Sequence, residues 1–72
     1  MVHHLDILDN YYIDIQRGLK TFEIRRTNRN YKIGDTLILK NKTTQKTIKK
    51  TINYINDLSI YNINNILILG LI

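Results

Sequence analysis

The last seven residues of the chain, ILILGLI, place the strongest constraint on its fold. A continuous apolar run of this length best fits a central, well-buried β-strand. It is far too short to span a bilayer, which needs about 20 apolar residues. We therefore place residues 66–72 in the interior of a β-sheet and expect no membrane association.

The chain is small and contains no cysteine. Its 72 residues are enough for one domain, residues 1–72, with a modest core. Without cysteine, no disulfide can stabilise the fold and no thiolate can bind zinc or act as a nucleophile. The N-terminal segment MVHHLDILDN has an aspartate where a signal peptide carries its apolar run. We expect a soluble, cytoplasmic protein.

The remaining segments predict four further strands and one helix. The segment VHHLDIL alternates as a strand, and Asp9 is the expected N-cap of a short helix that reaches Arg17. Gly18 suits the left-handed position just past a helix end. Further strands are expected at 21–26, 36–40 and 46–55, with turns or loops at 27–30, 33–35 and 41–45. The polar segment 57–65 has room for one helical turn.

This order of a strand, a helix and then four strands predicts an α+β fold. Mostly antiparallel strands with one short helix are typical of a small curved sheet or barrel. In the segment TFEIRR, alternation predicts that Phe22 and Ile24 face the core while Glu23 and Arg25 face outward. The Lys/Thr-rich segment 40–51 is expected to be an exposed hairpin whose lysines discourage edge pairing.

The charge of the chain suggests a class of partner. The formal net charge is +5 and the sequence pI is about 9.7. A basic balance favours polyanions such as nucleic acid, and it argues against a nucleic-acid mimic, which should be acidic. The abundance of Ile, Asn and Lys, which have A/T-rich codons, is a second explanation for the lysine excess. Charge alone therefore leaves nucleic-acid binding open.

Charged residues concentrate in GLKTFEIRRTNRNYKIGD, residues 18–35, where three arginines fall within five residues. A G-x-K-x-x-E-x-R signature is formed there by Gly18, Lys20, Glu23 and Arg25, and it is followed by Arg29, Tyr31, Gly34 and Asp35. With His3 placed before an apolar strand position, the pattern resembles the ASCH family, and more closely its small bacterial and phage branch of RNA-binding ASCH-like proteins. The resemblance covers essentially the whole chain and is strongest over residues 3–39.

The resemblance implies a PUA-like β-barrel of about five mostly antiparallel strands with one or two short helices. It also implies a cleft beside the helix that follows the first strand. The expected partner is RNA or a nucleotide, without a cofactor, and the residues expected to line the cleft are Lys20, Glu23, Arg25, Arg29, Tyr31 and His3. Cationic groups would contact phosphate, and the flat ring of Tyr31 would stack on a base.

Simpler structural roles compete with this interpretation. Glu23 can pair with Lys20 or Arg25, although a surface ion pair is usually worth under about 1 kcal/mol. Arg26 fits a solvated side chain, and the other tyrosines fit core or rim packing. His3 can also be a satisfied histidine of the barrel.

Metal binding is not expected, and the Gly-Asp turn has a structural explanation. The adjacent His3 and His4 point in opposite directions in a strand and cannot chelate one ion together. Gly34 and Asp35 are expected to serve the turn and nothing else.

Two other classes of function are open. Some ASCH relatives are small amidohydrolases that deacetylate an acetylated cytidine, using a lysine, a threonine and a glutamate. Lys20 matches the lysine, but Glu23 stands where that threonine falls and Thr21 is offset by strand alternation. A lysine nucleophile must also lose its proton, which a neighbouring Glu23 opposes. The other class is a phage or mobile-element accessory protein that binds a host protein through an exposed apolar patch apart from the cleft.

Overall fold

The computed structural model describes residues 1–72 and contains five strands and one α-helix. In chain order these are β1 (Val2–Ile7), α1 (Asp9–Gln16), β2 (Phe22–Arg26), β3 (Thr36–Asn41), β4 (Thr47–Asp57) and β5 (Ile66–Leu71), with a 3₁₀ helix at Leu58–Tyr61. The expected α+β class and the expected order of elements are confirmed. Neither helix is long and apolar enough to cross a membrane.

The five strands form one sheet in the order β1-β3-β4-β5-β2, curled into a half-barrel. The β1–β3 pair is parallel, and the other three pairs are antiparallel, as expected for a mostly antiparallel sheet. β1 and β2 are the two edges of the sheet and do not pair with each other. The barrel is therefore open between these two strands.

The apolar C-terminal run forms β5, which lies between β4 and β2 as predicted for a central strand. Its burial alternates, however: Leu67, Leu69 and Leu71 are buried, while Ile66 and Ile68 are half-exposed on the outer face. Only one face of the sheet is covered. The core on that face consists of Leu5, Ile7, Tyr12, Ile15, Tyr31, Leu37, Leu39, Ile52, Leu67, Leu69 and Leu71.

The start of α1 differs from the prediction. Leu8 is the N-cap residue, with an extended backbone, and Asp9 is the first residue of the helix. The Asp9 carboxylate instead accepts a hydrogen bond of 2.8 Å from Nδ2 of Asn41 at the end of β3. Asp9 therefore ties the helix to the sheet rather than capping it. Gly18 has a φ of 77°, as its predicted position past the helix end requires.

The two faces of β2 are the reverse of the prediction. Phe22 and Ile24 are 40% and 54% exposed, whereas Glu23 is only 4% exposed. The pairing with β5 explains the reversal, because Glu23 lies directly opposite the core residue Leu69. Directly paired residues share one face of a sheet. The core face of β2 thus carries charged side chains, and its apolar side chains point outward.

A β-bulge in β4 depends on Gly70. The register between β4 and β5 shifts between Ile52 and Tyr54, where β4 passes from its pairing with β3 to its pairing with β5. A Cβ atom on Gly70 would lie 2.7 Å from Oδ1 of Asn53 and 3.0 Å from Cβ of Tyr54. Glycine therefore allows the two strands to approach closely at the bulge.

We expect Gly70→Ala to lower the free energy of unfolding by about 1–3 kcal/mol, the usual cost of overpacking. Denaturant unfolding followed by circular dichroism measures this loss. Adding Asn53→Ala should restore part of the stability, because it removes the atom nearest to the new methyl group. An unchanged denaturation midpoint in Gly70→Ala would contradict the close approach.

Candidate functional site

The candidate site is built around the buried carboxylate of Glu23. Nζ of Lys20 lies 3.0 Å from its Oε1, and Nε of Arg25 lies 2.8 Å from its Oε2. The Glu23 side chain is 5% exposed, and those of Lys20 and Arg25 are 14% and 24% exposed. Each carboxylate oxygen has its own cation, so the expected ion pair is present with both of its possible partners.

The Lys20 ammonium group is enclosed on several sides. It donates a second hydrogen bond of 2.9 Å to the carbonyl oxygen of Phe22. It also lies 4.8 Å from the ring centre of Tyr11 and 4.7 Å from that of Phe22, within the range of cation–π attraction. A carboxylate, a carbonyl and two aromatic rings thus surround this ammonium group.

Two arginines connect the open edges of the sheet. Nη2 of Arg25 donates to the carbonyl oxygen of Asp6 at 2.8 Å, and Nη1 of Arg29 donates to that of His4 at 3.2 Å. Both acceptors belong to β1, whereas Arg25 is on β2 and Arg29 is in the loop that follows it. Side chains therefore bridge the gap that backbone pairing would fill in a closed barrel.

The geometry of β1 explains why those two carbonyls accept side-chain donors. The carbonyl groups of Met1 and Ile7 accept hydrogen bonds from Thr36 and Lys42, on the side of β3. Carbonyl direction alternates along a strand, so the even-numbered residues of β1 direct theirs to the free edge. The two arginines thus satisfy backbone acceptors that no strand covers.

Two pockets lie along the opening between β1 and β2. The first, of about 380 Å³, is here named the aromatic pocket and is lined by Asp6, Ile7, Leu8, Tyr11, Lys20, Phe22, Glu23, Ile24, Arg25 and Lys42. The second, of about 390 Å³, is named the arginine pocket and is lined by Leu5, Ile24, Arg25, Arg26, Asn28, Arg29, Tyr31 and Ile66. Ile24 and Arg25 line both pockets and separate them.

His3 and Tyr31 pack together behind the arginine pocket. His3 is buried and lines neither pocket, and its ring centre lies 4.7 Å from that of Tyr31. Tyr31 is only 8% exposed, so it does not present the open stacking face that was predicted. Burial raises the pKa of the Tyr31 phenol, and the charges of Arg29 and Arg25 act in the opposite direction. The phenol is therefore neutral and able to donate a hydrogen bond.

Asp35 does more than serve the turn, contrary to the prediction. Its Oδ2 lies 2.8 Å from Nε2 of His3 and accepts a hydrogen bond of 3.0 Å from the backbone N–H of Lys32. Its Oδ1 accepts a hydrogen bond of 3.1 Å from the α-amino group of Met1. The bond with His3, followed by that with the Met1 amine, lowers the pKa of Asp35 to about 2. Gly34 does have the turn conformation, with a φ of 95°.

A family model described as a domain of unknown function, DUF3850, matches residues 2–71. The chain belongs to this family. No curated protein gives a significant match to the chain. The family description names no ligand or activity, and it does not mention ASCH or PUA-like domains, so both stay predictions from the signature.

Within this DUF3850 domain, the structure brings together part of the predicted set. Lys20, Glu23 and Arg25 meet in the aromatic pocket, and Arg29 and Tyr31 meet in the arginine pocket. His3 lines neither pocket, and Thr21 is exposed and also lies outside both. No group of three or more His, Cys, Asp or Glu residues lies together as a metal site.

Sequence reasoning missed several residues of the site. Tyr11, expected in core or rim packing, and Arg26, expected in solvent, each line a pocket. Asp6 and Asn28 also line the pockets and had no predicted role. Asp6 alternates with the core residues Leu5 and Ile7 in β1, which was the available signal that it faces away from the core.

We expect Glu23→Gln to lower the free energy of unfolding by about 1–3 kcal/mol, because two cations lose their charged partner in a largely buried setting. Urea unfolding measures the change. Asp14→Asn, at a half-exposed helix position whose side chain forms no ion pair, is the matched control and should stay within about 0.5 kcal/mol of wild type. Equal effects of the two changes would count against the importance of the cluster.

Acid should weaken the fold through Asp35. Its pKa is about 2 in the folded chain against 3.8 for the unperturbed group, so its carboxylate stabilises the fold above the higher value. That contribution is lost as the pH falls from about 4 to about 2. Thermal melts across this window should fall less steeply for Asp35→Asn than for wild type. Parallel pH profiles of the two proteins would contradict the contact with His3.

Proposed function

We propose that this DUF3850 domain is a PUA-like, ASCH-type module that binds RNA or a nucleotide. One observation carries the proposal: the cluster of Lys20, Glu23 and Arg25 lies in the wall of a pocket that also contains two aromatic rings. The aromatic pocket, at about 380 Å³, falls in the size range of about 300–1,000 Å³ that is common for small-molecule sites. Its chemistry combines apolar walls with a few fixed polar groups.

The groups of the aromatic pocket match the chemistry of an unstacked base and its ribose. Tyr11, Phe22 and Ile24 supply apolar and aromatic surface. The carboxylates of Asp6 and Glu23 can accept hydrogen bonds from amino groups of a base or hydroxyl groups of a ribose. Each oxygen of Glu23 accepts one bond already, and a carboxylate offers about four acceptor positions in all. Recognition of single-stranded RNA relies on this combination of rings, hydrogen bonds and positive charge.

The amidohydrolase hypothesis has less support from the geometry. Nζ of Lys20 donates to Glu23 and to the Phe22 carbonyl and lies beside two rings, so it is engaged as a donor rather than presented to a substrate as a nucleophile. Thr21 is exposed and lines neither pocket, so it is not placed beside Lys20 and Glu23 around one substrate. We therefore favour binding over hydrolysis.

Binding of a host protein is the second candidate function, because exposed apolar side chains lie close together in the chain and outside both pockets. Ile60, Tyr61 and Ile63 are 73%, 63% and 48% exposed and line neither pocket. Ile60 and Tyr61 end the 3₁₀ helix, and Ile63 follows after Asn62; these three residues are here called the patch. This patch supports protein binding only if the pockets prove to have no nucleic-acid ligand.

The test compares two double variants with the same net charge as wild type. Lys20→Gln/Glu23→Gln removes the central ion pair, and Lys46→Gln/Asp14→Asn removes one positive and one negative charge away from the pockets. We expect the first to weaken binding of single-stranded RNA by about tenfold, the loss associated with one charge-assisted contact. The second should bind like wild type. Circular dichroism checks that both variants are folded.

Two results would contradict the proposal. One is equal RNA affinity in both double variants while both remain folded. The other is no binding of wild type to single-stranded RNA, single-stranded DNA, duplex DNA or mononucleotides at low salt. The second result would turn attention to the patch formed by Ile60, Tyr61 and Ile63.

A further inference from the structure

The arginine pocket carries positive charge that no carboxylate in its lining balances. Arg25, Arg26 and Arg29 all line it, and its lining contains no aspartate or glutamate. Of the three, only Arg25 forms an ion pair, with Glu23 of the neighbouring pocket, so the charges of Arg26 and Arg29 are unpaired. The aromatic pocket differs, because Asp6 and Glu23 offset most of its positive charge. The stronger attraction for an anion is therefore in the arginine pocket, which the G-x-K-x-x-E-x-R signature alone does not identify.

The arginines of this pocket differ in how many donors they have left. Arg25 uses Nε for Glu23 and Nη2 for the Asp6 carbonyl. Arg29 uses Nη1 for the His4 carbonyl, which leaves Nε and Nη2 free to donate. Arg26 forms no ion pair within the chain. A guanidinium group has five N–H donors in a planar fork, which matches the oxygens of a phosphate.

The two pockets are close enough for one ligand to enter both. Ile24 and Arg25 line both pockets, so only these two side chains lie between a ligand group in one pocket and a ligand group in the other. The neutral phenol of Tyr31 and the amide of Asn28 add donors in the arginine pocket.

We infer that the arginine pocket is a phosphate subsite for a single-stranded nucleotide chain whose neighbouring nucleoside occupies the aromatic pocket. This inference rests on the proposed function and assigns the phosphate of the RNA or nucleotide ligand to the arginine pocket and the nucleoside to the aromatic pocket. Arg26 and Arg29 bind the phosphate, and Arg25 acts as the divider that is fixed to both edges of the sheet.

Calorimetric titration with small ligands separates the two subsites. The probes are the four ribonucleosides, their 3′- and 5′-monophosphates, the four homodinucleoside monophosphates and inorganic phosphate. For the best base, we expect the phosphate-bearing ligand to bind wild type about tenfold more tightly than the nucleoside, as one charge-assisted contact would provide. Inorganic phosphate alone should bind more weakly than either.

Variants then assign that gain to particular side chains. Arg26→Gln/Arg29→Gln should abolish the gain, whereas Lys46→Gln/Lys49→Gln, which removes the same charge elsewhere, should keep it. Arg26→Gln alone, which breaks no ion pair within the chain, should lose a measurable part of the gain if the double variant fails to fold. With longer single-stranded RNA, the slope of log affinity against log salt should fall by about 0.7 for each phosphate contact removed.

The outcomes separate this inference from the function on which it rests. A gain that persists in Arg26→Gln and in the double arginine variant overturns the phosphate subsite. An equal affinity of wild type for nucleoside and nucleotide overturns it as well. After either result, the proposed function still stands if Lys20→Gln/Glu23→Gln weakens nucleoside binding. Inorganic phosphate that binds as tightly as the dinucleotides would overturn the link between the pockets. Absence of binding by every probe would overturn both proposals.

Discussion

The geometry of the site depends on one buried carboxylate. Glu23 lies on the core face of an edge strand, where a lone negative charge would be costly to desolvate. Its two oxygens hold Lys20 on one side and Arg25 on the other, and Arg25 continues to the Asp6 carbonyl on the opposite edge. A single acidic group thus fixes the positions of the residues that shape both walls of the opening.

The opening exists because side chains, not backbone pairs, join β1 to β2. Direct pairing of the two edges would close the barrel and remove the space that both pockets occupy. Arg25 and Arg29 instead cover the free carbonyls of β1, which also protects an edge that could otherwise pair with another chain. Because long arginine side chains, and not a neighbouring strand, donate hydrogen bonds to the β1 carbonyls, the opening between β1 and β2 has space for a ligand. The same side chains line that space with N–H donors.

The sequence predicted the order of the elements and the left-handed conformation of Gly18 better than it predicted the site. Alternation in β2 divides its residues into two sets, but it does not say which set faces the core, and hydrophobicity suggested Phe22 and Ile24. The pairing of Glu23 with the core residue Leu69 determines which set faces the core. These two residues are far apart in the sequence, so alternation within β2 could not reveal it. The same is true of Asp35, whose partner His3 lies 32 residues away. For Tyr31, the sequence predicted exposure where the structure shows burial, since its ring packs on the buried His3.

The lysine and the arginines at the opening differ in the number of N–H groups that are free to bind a ligand. Lys20 has three N–H groups, and two already donate to Glu23 and the Phe22 carbonyl. A phosphate placed on Lys20 would compete with Glu23 for the same ammonium group and would stand beside a negative charge. Arg29 has free N–H groups with no carboxylate in the lining of its pocket. The signature lysine therefore holds Glu23 in place, and the proposed binding of a phosphate is assigned to the arginines that follow the signature lysine and glutamate.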